Sequence, residues 1–121
     1  MELDLELTTN ELGQPALGVR VTLAHELTHV ALAGRDDEAP LWLGEGIAEW
    51  VSVRSVPADQ RLISRAAVRA ARQGRTRLPD DTTFNRDGSG EDYGLSWWAC
   101  QAVVDMYGAP VLWALLDDLG S

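Results

Sequence analysis

From Glu2 to Thr8 apolar and polar residues alternate strictly, with Leu3, Leu5 and Leu7 on one side and Glu2, Asp4 and Glu6 on the other. A period of two is that of a strand with one buried face, so this stretch predicts a half-buried β-strand. "NELGQPALG" then interrupts the pattern with two glycines and a proline. From Val19 to Ala33 the spacing becomes helical. Val21, Ala24, Thr28 and Ala31 fall on one side and Leu23, Leu27 and Val30 on another, with Gly34 as the stop. "RDDEAP" reads as a polar loop. A second helix is predicted from Leu41 to about Arg54, ending before Pro57, and a third over "ADQRLISRAAVRAARQG", closed by Gly74. "RTRLPDDTTFNRDGSGE" is long, polar and irregular. A fourth helix is predicted from about Asp92 to Tyr107, closed by Gly108, and a short fifth, with Pro110 in its first turn, to Leu119. The expected fold is therefore mainly α (α+β): packed helices with one N-terminal strand or small sheet. No internal repeat or domain boundary is visible, so residues 1–121 read as a single domain, or as a piece of a longer parent.

Composition narrows the function. The chain has 121 residues, of which 45% are hydrophobic, a globular composition with enough apolar material for a thin core. No apolar run approaches the roughly 20 residues of a membrane helix, and "MELDLELTTN" lacks the basic start and apolar centre of a signal peptide. A segment cut from a longer precursor would read the same, so the compartment, extracytoplasmic or not, stays open. The net charge of -9 argues against a nucleic-acid partner held by a broad basic surface. All ten basic residues are arginines, and eight lie between Arg54 and Arg86. Among them Arg61, Arg65, Arg69 and Arg72 follow helical spacing and form one basic face, read as solvated. The lone Cys100, in "WWACQAVV", excludes an internal disulfide and is expected to be a buried, inert thiol.

Both histidines of the chain lie in "HELTHV". A helix has about 3.6 residues per turn, so His25 and His29 project from one face, one turn apart. Two imidazoles so placed can reach one zinc ion at about 2.0–2.1 Å. Glu26 points roughly 100° away. It is badly placed to ligate the same ion but can reach a water bound to it. This is the physical content of an H-E-x-x-H sequence: two ligands and a general base on one rigid helix. A catalytic zinc normally takes a third protein ligand. No third histidine exists, so that ligand has to be a carboxylate. Glu45, with fifteen intervening residues after His29, lies in "PLWLGEGIAEW", on a helix that the intervening loop can fold back against the first. Glu49 is one turn past Glu45 and is a candidate to accept the second N–H of a ligand histidine; otherwise it is a solvent-facing glutamate.

With these residues in view, "HELTHVALAG" followed by "PLWLGEGIAEWVS" resembles the gluzincin metallopeptidases. It is most similar to the small bacterial peptidase-MA-like domains, and the later "YGLSWWACQAVVDMYG" and "LWALLDDL" resemble that family's closing helices. The resemblance runs from about Arg20 to Leu119. It implies a minimal zincin-like domain in which the histidine helix and the glutamate helix pack together. It further implies one zinc ion held by His25, His29 and Glu45, Glu26 as catalytic base, and a peptide or protein substrate. The gap from His29 to Glu45 is shorter than in the larger aminopeptidase gluzincins, and the family's N-terminal sheet is nearly absent. Substrate rules of those enzymes therefore do not carry over.

The tetrahedral oxyanion of amide hydrolysis needs a donor besides the metal. Tyr93, at the start of the fourth helix beside the long loop, is the candidate, and larger gluzincins use a tyrosine for this task. The plain alternative is a rim tyrosine packed on Trp97. Of the five tryptophans, Trp97, Trp98 and Trp113 read as core, while Trp42 and Trp50 flank Glu45 and are expected to wall the site. The loop from Arg75 is either a lid or a plain surface loop. A function of a different class also remains: a zinc-containing, catalytically vestigial interaction module. Glu26 argues against it, since a structural site has no use for a base beside its ligand. Oligomeric state is not legible.

Overall fold

A computed structural model describes residues 17–57, 65–75 and 77–120. Their regular structure is five helices: α1 (Leu17–Leu32), α2 (Leu41–Arg54), α3 (Arg65–Arg72), α4 (Glu91–Tyr107) and α5 (Ala109–Leu119). The fold is mainly α, with no strand among the described residues. The strand expected over Glu2–Thr8 lies outside them, as does the 58–64 part of the expected third helix. The punctuation falls where turn chemistry demands. Gly34, Gly74 and Gly108 all have positive φ, a region that costs a residue with a Cβ but not glycine. Pro110 sits in the first turn of α5, where its missing N–H is no loss.

α2 is the central element, packed most extensively on α4 and next on α1; α4 also carries α3 and α5. Leu43, Ile47, Cys100, Leu112 and Leu116 are fully buried and join Leu32, Ala39 and Trp50 in one core. The tight α2–α4 crossing depends on Gly46. A Cβ added there would stand 2.6 Å from the Ser96 carbonyl oxygen and 2.7 Å from Cys100 Sγ. Both are far inside van der Waals contact, so only glycine lets the two backbones approach this closely. Cys100 is the buried thiol expected, and burial pushes its pKa up to about 12.

Three side-chain expectations need correction. Trp98 is 45% exposed, whereas Trp97 and Trp113 pack on the core. Neighbouring helical residues diverge by roughly 100°, so Trp97 and Trp98 cannot both face inward. Trp50 does not wall the site, and Trp42 packs against the core. Trp50 lies in that core, where it meets Trp113 edge-on while its Nε1–H donates to Gln101 Oε1 at 3.1 Å. Trp50 is roughly 140° around α2 from Glu45 and so faces away from it. On α1, Thr28 and Leu32 are buried while Leu27 and Val30 are exposed. The basic face of α3 is partly engaged within the chain: Arg69 donates to Glu91 Oε1 at 3.0 Å and to the Ser89 carbonyl at 2.7 Å.

Arg75 and the segment from Arg77 to Gly90 are sewn to both neighbours. Asp81 Oδ1 accepts the N–H of Leu41 at 2.9 Å, a cap for α2 that Pro40 cannot supply. Asp92 Oδ2 accepts the N–H of Asn85 at 2.6 Å, while Asp92 Oδ1 takes Arg75 Nη2 at 2.7 Å. These contacts fix the start of α4 and with it Tyr93.

Candidate metal centre

α1 and α2 bring their polar residues together at one point. The helical i, i+4 relation places the His25 and His29 rings on one face, with centroids 5.1 Å apart. Glu45 enters from α2. Its Oε2 lies 2.9 Å from His25 Nε2 and 3.1 Å from His29 Nε2, and the two Nε2 atoms are 3.3 Å apart. Among the described residues His25, His29 and Glu45 are a group able to hold a metal ion: each offers one ligand atom, and all three atoms lie within 4.8 Å of one another. The third residue comes from the next helix because the short 33–40 connection folds α2 back along α1.

The outer nitrogens of both rings are also occupied. His25 Nδ1 lies 3.2 Å from Glu49 Oε1, one turn along α2 from Glu45. His29 Nδ1 lies 2.6 Å from Asp36 Oδ2, in the connection between α1 and α2. Asp36 was not singled out from the sequence. "RDDEAP" offers three acids in a row and nothing in their spacing marks one, since loop geometry chooses among them.

The electrostatics follow from this density of carboxylates. Burial alone would push His25 down, but the hydrogen bonds and charges of Glu45 and Glu49 outweigh it and raise its pKa to about 9. The hydrogen bond to Glu45, more than offsetting burial and helped by Asp36, likewise raises His29 to about 9. Burial would raise Glu45, but its hydrogen bonds to the two histidines win and hold it at about 2.

Glu26 faces the same region. A cleft of about 220 Å³ is lined by Val21, Thr22, His25, Glu26, Glu49 and Tyr93. The Tyr93 ring stands 6.1 Å from that of His25 and packs edge-on against Phe84 at 5.0 Å. Its aromatic neighbours are thus His25 and Phe84, and Phe84 is a second residue the sequence did not flag. Burial, and then the charges of Glu45, Glu49 and Glu26, raise the Tyr93 pKa above its ordinary value of 10.0, so the phenol keeps its proton at neutral pH. The structure thus brings His25, Glu26, His29, Glu45, Glu49 and Tyr93 to one place. The chain matches no protein-family model, no curated protein and no solved structure.

Proposed function

We propose that this chain is a zinc-dependent metallopeptidase of the gluzincin type, with His25, His29 and Glu45 as ligands of one ion. The observation that carries the reading is the convergence of three candidate ligand atoms, separated by 2.9, 3.1 and 3.3 Å, beside a cleft lined by His25 and Glu26. Donors arranged tetrahedrally at about 2.0–2.1 Å from zinc stand about 3.3–3.4 Å from one another. The observed separations are close to that, and the donor set of two imidazoles and a carboxylate is one that catalytic zinc sites use.

When bound, zinc supplies Lewis acidity, lowering the pKa of a water at its open position from 15.7 to about 7 and polarising the substrate carbonyl. The remaining work falls to the chain. Glu26 accepts a proton from the attacking water as its oxygen bonds to the amide carbon. As the C–N bond breaks, Glu26 returns that proton to the leaving nitrogen. Tyr93, protonated at neutral pH, donates a hydrogen bond to the oxyanion of the tetrahedral intermediate. Glu49 accepts the Nδ1–H of His25, which aims the other nitrogen at the ligand cluster.

The test separates binding from chemistry. The zinc-loaded protein and Glu26→Gln are compared for metal content by elemental analysis and for hydrolysis of a fluorogenic peptide library. The expected result is one zinc per chain in both and hydrolysis by the wild type alone. Metal should be largely lost from His29→Ala. Hydrolysis by Glu26→Gln at the wild-type rate would remove Glu26 from the mechanism. Zinc bound without hydrolysis by the wild type would favour the vestigial module.

A further inference from the structure

We infer that Asp36 is a positioning residue for His29, the counterpart on the second ligand of what Glu49 does for the first. The inference rests on the metal-centre reading and concerns a residue which that reading does not include. Three features of the structure converge on it. The contact is short, with Asp36 Oδ2 2.6 Å from His29 Nδ1, and both groups are largely removed from solvent, with side chains 11% and 21% exposed. A carboxylate accepts and cannot donate at neutral pH, so the proton of a neutral His29 belongs on Nδ1 and the Nε2 lone pair faces Glu45 and His25.

The backbone around Asp36 is built to hold it there. Ala33 and Gly34 both have positive φ, 51° and 86°, and reverse the chain directly after α1. The N–H of Asp37 then donates to the Gly34 carbonyl at 3.1 Å, and that of Ala39 to the Asp36 carbonyl at 3.3 Å. The neighbouring helix leaves room for it. Asp36 packs beside α2 at Gly44, directly before Glu45: a Cβ built on Gly44 would meet Asp36 Cβ at 3.4 Å and its Oδ2 at 3.7 Å, ordinary contact distances. One residue thereby spaces α1 from α2, orients a ligand on the first helix and abuts the turn that bears the ligand of the second. Asp37 and Glu38, the other acids of the same loop, are exposed.

Loss of an outer partner of a ligand histidine typically costs about 10–100-fold in metal affinity. The experiment is a competition titration of zinc against a chromophoric chelator, using wild type, Asp36→Ala, Asp36→Asn and Glu38→Ala. Circular dichroism confirms that each is helical. Asp36→Ala should bind zinc about 10–100-fold more weakly. Asp36→Asn, whose amide oxygen can still accept from Nδ1–H but without charge, should fall between it and the wild type. Glu38→Ala removes the same charge from the same loop and should bind within about twofold of the wild type, an effect far below the loss of an outer partner. A second measurement needs no variant. In ¹⁵N-labelled zinc-loaded wild type, long-range ¹H–¹⁵N correlation should place the His29 proton on Nδ1. Undiminished affinity in Asp36→Ala overturns the positioning role while leaving the metal centre intact, whereas a His29 proton on Nε2 removes that atom as a ligand and overturns the positioning role with it. A wild type that takes no zinc overturns both.

Discussion

Gly46→Ala tests the α2–α4 crossing, because Gly46, directly after Glu45, sits where α2 touches α4. The added methyl would lie 2.6 Å from the Ser96 carbonyl oxygen and 2.7 Å from Cys100 Sγ. Relief to ordinary contact near 3.4 Å requires a retreat of about 0.8 Å, and the first obstacle is backbone, which cannot rotate away. Overpacking of this kind costs about 1–3 kcal/mol, and a rigid partner places it near about 3. Alanine recovers about 1 kcal/mol through its better helix propensity. The net expectation is a loss of about 2 kcal/mol, or a Tm lower by about 8 °C for a domain of this size. Gly44→Ala, two residues away in the same helix, provides the contrast. Its Cβ would meet only Asp36, at ordinary contact distances, so the propensity gain should leave Tm unchanged or slightly higher. Thermal unfolding followed by circular dichroism on the metal-free proteins measures both. If Gly46→Ala melts at or above the wild type, the two helices do not cross at this separation.

Other outcomes follow from the same geometry. Tyr93→Phe should lower kcat by about 10²–10³ with zinc content and Tm almost unchanged, while Tyr107→Phe, at a residue 65% exposed at the far end of α4, should leave kcat alone; equal rates in steady-state assays would exclude Tyr93 from catalysis. Asp92→Ala removes the acceptor of both the Asn85 N–H and Arg75 and should cost about 1.5–3 kcal/mol in urea denaturation; a smaller loss would mean that Arg75 and the 77–90 segment are not anchored there. For the metal-free protein the sign of the pH dependence is set by the ligand cluster. His25 and His29, raised from 6.5 to about 9, contribute fully below pH 6.5 and lose that contribution as pH rises through about 9. Glu45, lowered from 4.5 to about 2, contributes above pH 4.5 and loses it as pH falls through about 2. Metal-free stability from this cluster is therefore greatest between pH 4.5 and 6.5, whereas added zinc, which competes with those protons, should raise Tm more at pH 8 than at pH 6. A metal-free Tm that does not fall between pH 6.5 and 9 would contradict the pairing.

Helical period and turn chemistry are local properties, and they placed the helices well. α2 was legible to its ends, Leu41 and Arg54, because Pro40 and Pro57 bracket an apolar repeat. α4 and α5 were legible because Gly108 and Pro110 punctuate them. The His25–His29 pair was equally readable, since four residues on a helix is a fixed distance in space. Glu45 could be named because composition left no other class of third ligand.

What the sequence could not decide was anything that depends on which faces meet. Trp98 looked like core by its apolar neighbours, yet the rotation of α4 against α2 assigned the interior to Trp97. Trp50 looked like a wall of the site because it is near Glu45 in the chain, yet around the helix it faces Trp113. Asp36 was invisible among three consecutive acids, because selecting one of them requires the turn at Ala33 and Gly34. Spacing and chemical type along the chain pointed to His25, His29 and Glu45 as candidate ligand residues. Only the packing of α1 on α2 brought Nε2, Nε2 and Oε2 to within about 3 Å of one another, because proximity between residues far apart in sequence is a property of packed surfaces and not of any local pattern.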